Sequence, residues 1–226
     1  LYIYIMKRKL YILASCRVHR PFNCDKNHET GLFSEYDTQG TIWSGPNFFG
    51  SVYCSNYIKQ ILKSLITRSN KDSIVSIFPN EEKFGNICDS LYESDLIIIE
   101  ISTMKSIITT QDENNIYLSN EHLHKINGSY NKYEINKEEL KQNILDIQNM
   151  LKKINKKVLF VSHFIGSYHI KPRQIIINTL KKHCEYFFNP THYVKDKKYL
   201  QNNTHYTKEG ESHIMNELHK KITQII

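Results

Sequence analysis

The sequence is poor in the residues that punctuate loops and staple small folds. With 8 Gly, 5 Pro and 1 Trp among 226 residues, it is neither collagen-like nor a Pro/Gly-rich disordered chain. Its 5 cysteines, Cys16, Cys24, Cys54, Cys88 and Cys184, are odd in number and include no CxxC pair. That pattern argues against a disulfide framework and a structural zinc site, and it fits a reducing, cytoplasmic compartment. No stretch approaches the ~20 consecutive apolar residues of a membrane span. An acidic excess is absent as well: 30 Lys and Arg against 23 Asp and Glu leave a formal charge of +7. A basic balance raises the question of a polyanionic partner. The lysines, however, spread over helix-like segments (Lys137, Lys141, Lys152, Lys153, Lys156, Lys157) instead of gathering with arginines and aromatics. A solvated basic face is expected, and no specific nucleic-acid surface.

What the chain does have is an ordinary globular balance, 40% hydrophobic and 23% charged, and enough length for one core over residues 1–226. The chain begins at Leu1, so Met6 is one candidate start and a longer parent chain the other. Read from Met6, "MKRKLYILASC" imitates a lipoprotein signal. Its apolar stretch, residues 10–14, is shorter than the ~7–15 residues such a signal needs, and Arg17 and Arg20 follow at once. The same stretch reads better as a strand.

Strand-like runs occupy residues 9–14, 41–44, 73–78, 95–101, 157–162 and 185–188. "DLIIIEI" at 95–101 is the clearest: continuous, branched and bounded by polar residues, as a strand buried on both faces should be. Helical spacing marks 51–67, with Ser51 as its candidate N-cap, and 81–90, 136–154, 172–183 and 208–225. Residues 103–135 read as an excursion, a hairpin in which 107–110 and 116–119 flank the turn-like "QDENN". Strands alternating with helices imply a mainly parallel sheet covered on both faces, a three-layer α/β/α sandwich. In such sheets ligands bind beyond the carboxyl ends of the strands. That directs attention to the residues just after Ala14, Ser44, Ile101 and Ser162.

Ser15 follows the first strand on the turn "ASCRVHRPF", where its hydroxyl would face the crevice and its N–H could bind an oxyanion. "NNTHYTKEG" stands immediately ahead of the last helix, and His205 there can reach the same crevice. Serine needs such a base because its hydroxyl is a poor nucleophile at neutral pH. This layout resembles the SGNH, or GDSL-type, hydrolases: a serine after the first strand, and a D-x-x-H-[FY]-[ST]-x-x-G pattern before the last helix. The Ser-Cys pair is similar to the branch with Gly-Ser-Cys in its first block. The resemblance implies a flavodoxin-like sheet and acyl transfer without cofactor or metal. Ser15 would attack an ester carbonyl, His205 would take its proton, and the Ser15 and Gly50 N–H groups would hold the oxyanion. Gly45 is the reserve for Gly50. The substrate would be a short acyl or O-acetyl ester, such as one on a carbohydrate.

The departures matter. Asn202 stands where the family places an acid; it can orient an imidazole but cannot offset imidazolium charge, and the equivalent change in the chymotrypsin template cost roughly 10⁴ in turnover. Another acid, Asp196 or Glu209, is one remedy; a weakened protein that only binds a glycan or partner is the alternative reading. The family's third block reads Glu100-Ile101-Ser102-Thr103, where Ser102 could hydrogen-bond the oxyanion or substrate. Arg17, with His19 and Arg20, could bind an anionic substrate group, and His163 at a strand end could contact substrate. The plainer readings are a turn serine, a capping histidine and loop salt bridges. Cys16 is a lesser candidate nucleophile. His122 and His124, at i and i+2 with no third ligand in view, do not make a metal site. Asn127-Gly128-Ser129 is a formal glycosylation sequon that reads as a turn.

Overall fold

Successive side chains of a strand point to opposite faces, and the central strands of this chain use both faces for apolar packing. The computed structural model describes residues 7–22, 36–40, 52–69, 81–111, 114–120, 123, 129–166 and 169–226. β1 (Arg8–Leu13), β3 (Leu96–Ile101) and β7 (Val158–Ser162) form the centre of an all-parallel sheet. β2 (Tyr36–Gly40) flanks β1 and the short β8 (Phe187–Phe188) flanks β7, giving the order β2-β1-β3-β7-β8. Counted along this sheet alone, that is the doubly wound order of flavodoxin-like folds. On one face Tyr11, Leu13, Ile97, Ile99 and Phe160 pack against α2 (Ser55–Thr67), α3 (Glu81–Glu93), α4 (Lys137–Lys153) and α5 (Ile170–His183). On the other, Leu10, Ile12, Ile98, Leu159 and Val161 meet α1 (Cys16–Phe22) and α6 (Lys208–Thr223). The α/β sandwich expected from the sequence is the architecture observed.

Two local readings change, and the sheet gains a strand that the sequence did not mark. The segment after Ala14 is not a turn but the short helix α1, whose first turn is closed by Val18 and His19 N–H bonds to the Ser15 carbonyl, both 3.1 Å. The strand beside β1 is Tyr36–Gly40; the runs read at 41–44 and 73–78 lie outside the described residues. α2 starts after Cys54, which caps it without a side-chain bond, while Ser51 also lies outside them. α4, by contrast, is written in its sequence: Leu140, Ile144, Ile147 and Leu151 are buried on one stripe, and Asn136 accepts the Glu139 N–H at 2.9 Å.

Between β3 and α4 the chain builds a separate antiparallel sheet, β4 (Lys105–Gln111), β5 (Asn114–Leu118) and β6 (Asn131–Glu134), in the order β5-β4-β6. The hairpin β4–β5 was legible from the two runs that flank the turn-like "QDENN". β6, polar and nearly all exposed, carried no apolar signal. The excursion's ends are joined by the Ile135 N–H bond to the Met104 carbonyl, 2.8 Å.

A buried polar network fastens it to the helices. Asn56 Nδ2 donates to the Tyr133 hydroxyl (2.6 Å) and Glu139 (2.9 Å). Asn143 Nδ2 donates to Asn56 Oδ1 (2.5 Å) and Ser55 Oγ (3.1 Å). The same two helices share a half-exposed ion pair, Lys59–Asp146 at 3.1 Å. Asn56→Ala strands buried partners and should cost about 1–3 kcal/mol. Lys59→Ala should cost only about 0–1 kcal/mol. Urea unfolding midpoints at constant slope check the ranking; equal losses would refute it.

Candidate active site

The strand order reverses about β1, so the crevice opens outside the carboxyl ends of β1 and β3. Leu13 pairs with Ile99, and Ile101 with Ser162. Ser15, Ser102 and His163 therefore leave three adjacent strands at the same rim.

Ser15 is 3% exposed and its partner is a residue that the sequence reading passed over. Its hydroxyl donates to Glu100 Oε2 at 2.5 Å, and its own N–H donates to the same oxygen at 2.8 Å. Glu100 is 1% exposed on the face of β3 that also carries Leu96 and Ile98. A carboxylate there must be paired, and Arg17 supplies the cation, Nε to Oε1 at 2.9 Å. Arg17 Nη2 also donates to Ser102 Oγ at 3.0 Å, leaving the Ser102 O–H proton to donate elsewhere. The signal for Glu100 was present: one acid inside a run of branched apolar residues has to find a partner. The Ser15 N–H, expected to face an oxyanion, is occupied by Glu100, and Gly50 and Gly45 lie outside the described residues.

His205 sits at the tip of a tight loop. Leu200 bridges Tyr206, and the Gln201 N–H bonds the His205 carbonyl at 3.0 Å. Buried Tyr206 packs on Phe164, ring centroids 5.1 Å apart. Thr207 caps α6 by accepting the Gly210 N–H, 3.1 Å. A Cβ on Gly210 would lie 2.1 Å from the Tyr199 carbonyl oxygen, so glycine is required for this crossing. Asn202 Oδ1 accepts the N–H groups of Thr204 (2.8 Å) and His205 (2.9 Å) and the Thr204 hydroxyl (2.8 Å). Since that oxygen only accepts, Thr204 Oγ is left to accept the proton of His205 Nδ1, 2.9 Å away; Asn202 Oδ1 is at 3.3 Å. The group orienting the imidazole is thus Thr204 backed by Asn202. Asp196 instead caps a turn through the Lys198 N–H, and Glu209 pairs with Lys198.

Burial, then Arg17 and Arg20, lower the His205 pKa, so the ring is neutral at pH 7. No hydrogen bond joins Ser15 to His205; both stand around Arg17. His163 is a different imidazole. Its Nδ1–H donates to the Phe164 carbonyl (2.7 Å) and its Nε2 accepts from Arg173 (3.2 Å). Burial, Arg17 and Arg173 push its pKa down to about 2. Burial likewise lowers His19 to about 3. Arg20 reaches Glu211 at 3.7 Å. Cys16 is buried with its thiol pKa raised by burial. Arg17, Ser102, His163, Arg173 and Thr204 line a cleft of about 480 Å³. A second cavity, about 570 Å³, lies under the excursion and shares Tyr53, Thr103, Lys105 and Glu134 with it.

No family model matches the chain, and no curated protein matches its sequence significantly. Solved structures do share its fold. A protein assigned as an acylhydrolase from Bacteroides fragilis is 13% identical with a TM-score of 0.51, covering 98% of this chain and 91% of that one. A psychrotrophic esterase from Pseudoalteromonas, in a structure inhibited by monoethylphosphonate, is 11% identical with a TM-score of 0.52, covering 96% and 98%. At such identities the likeness is one of fold. Among the described residues no helix is long and apolar enough to cross a membrane.

Glu100→Gln leaves Arg17 without its counter-ion and should cost about 3 kcal/mol or more in chemical denaturation. Adding Arg17→Met should recover much of that loss. Wild-type stability in the single variant would show that the pair does not hold this rim.

Proposed function

We propose that this chain is an SGNH-type serine hydrolase that transfers the acyl group of a short ester from its alcohol to Ser15 and then to water. The observation that carries the reading is a convergence: the serine at the end of β1 and the histidine loop ahead of α6 both gather around Arg17, in a fold shared with an esterase and an acylhydrolase. For attack, the Ser15 hydroxyl gives up its bond to Glu100 and donates instead to Nε2 of His205. Nε2 takes the proton as Oγ bonds to the carbonyl carbon. The Ser102 O–H and the Arg17 guanidinium face the resulting oxyanion. His205 returns its proton to the departing alcohol, and water releases the acyl group by the same steps in reverse roles.

Glu100 is the poorer base despite its contact. Its oxygens accept three hydrogen bonds, one from a guanidinium, and protonating it would remove the counter-ion of Arg17. That grip on both Ser15 donors also favours a second reading, a binding protein whose serine is held shut. An O-acetyl group on a carbohydrate is the substrate class the family pattern favours.

A fluorophosphonate probe should label the wild-type chain and not Ser15→Ala; an unlabelled, folded wild-type chain would favour the binding protein. His205→Gln should lower ester turnover by about 10³-fold or more.

The pH profile is set by the base. A histidine base works when neutral, so activity is full above its pKa and is lost as pH falls through it. Because the His205 pKa is lowered, the acid limb should lie below the ordinary ~6.5. Asn202→Asp, which adds a negative charge beside the ring, should raise that limb and increase kcat by tenfold at least, within roughly 10⁴-fold. A limb that stays in place would argue against His205 as base.

A further inference from the structure

The acyl-transfer steps leave Arg173 unused. It is 6% exposed on the first turn of α5, and among the described residues no carboxylate contacts it. Its guanidinium donates to neutral groups: the carbonyls of Phe164 (3.1 Å) and Asn203 (3.4 Å), and His163 Nε2 (3.2 Å). Those bonds use three of its five N–H donors; the Nε–H and the second Nη2–H have no acceptor among the described residues. Burial and the nearby Arg17 charge both work against this cation, and Glu100, which favours it, is already bound to Arg17 and Ser15. A buried guanidinium with only neutral partners is unfavourable until an anion joins it.

A second observation points the same way. His169, at the amino end of α5, holds a left-handed conformation (φ 55°, ψ 33°) and makes no side-chain cap. His169, Pro172 and Arg173 line the cleft, so the positive end of a 14-residue helix opens onto it with no side-chain cap from His169. Lys105 and Glu134 on the same wall oppose each other in charge.

We infer that the cleft between Arg173, Arg17 and the amino end of α5 binds an anionic oxygen group, a carboxylate or phosphate carried by the substrate. Its belonging to the substrate rests on the hydrolase reading; the anion site itself does not.

Inorganic phosphate, titrated into the full chain by calorimetry and thermal melting, is the probe. Wild type and Ser15→Ala should both bind it saturably and melt higher in its presence. Arg173→Gln should bind about tenfold more weakly or worse. In ¹⁵N-labelled wild-type protein the Arg173 Nε–H signal should shift on addition of phosphate, a readout that needs no variant to fold. Acetate esters of 4-hydroxybenzoate and of its methyl ester then test the link to substrate. The kcat/KM preference for the charged ester should fall about tenfold or more in Arg173→Gln. Absence of saturable binding by the wild type, an unmoved Arg173 signal, or equal binding by folded Arg173→Gln would overturn the site. Phosphate binding by a chain that no fluorophosphonate labels would keep the site and remove the hydrolase. Phosphate binding with no charge preference among the esters would overturn the link to substrate.

Discussion

A carboxylate on the innermost strand of a sheet covered on both sides cannot reach bulk water, so it must be neutralised where it stands. For Glu100 the neutralising group is Arg17, only two residues beyond Ser15. That requirement pulls the start of α1 across the end of β3 and fixes the exit of β1 relative to its neighbour. It also sets the electrostatics of the whole rim. Arg17 is near enough to His205 and His163 to disfavour charge on both rings, and it anchors Ser102. The ion pair is thus as much a ruler as a source of stability.

The rim sorts its two imidazoles by their partners rather than by charge. Both are neutral at pH 7, yet His163 has its lone pair turned to Arg173 and its proton to a carbonyl. Among the described residues, His205 has only its Nδ1 side engaged. One ring is therefore a structural acceptor and the other keeps a lone pair available. The position of each in the chain says nothing of this; the neighbours decide it.

Much of the architecture was readable because burial leaves a periodic trace. The continuous run of β3, the stripe of α4 and the cap at Asn136 all follow from local rules, and the strand–helix alternation implied the parallel sheet. α1 was missed because Cys16–Phe22 is short, contains Pro21 and has no acidic first turn; its stability comes from packing on α6. β6 was missed because an exposed edge strand has no apolar alternation to read. At the site, Ser15 and His205 were marked by their places after the first strand and ahead of the last helix, and Asn202 by the resemblance to the family pattern. Glu100, Thr204 and Arg173 were not, because their significance lies in pairings across 85, 1 and 10 residues of sequence that only the folded chain creates.

The excursion between β3 and α4 leaves and re-enters the body at one point, closed by the bond between Met104 and Ile135. Its strands pair only with one another, and α2 ties it to the body, by Asn56 to Tyr133 and by Gln60 to Tyr117. Lengthening or trimming its strands would remodel one wall of the cavities while leaving the serine and histidine where they are. The shape of both cavities is therefore set in part by strands that the central sheet does not contain.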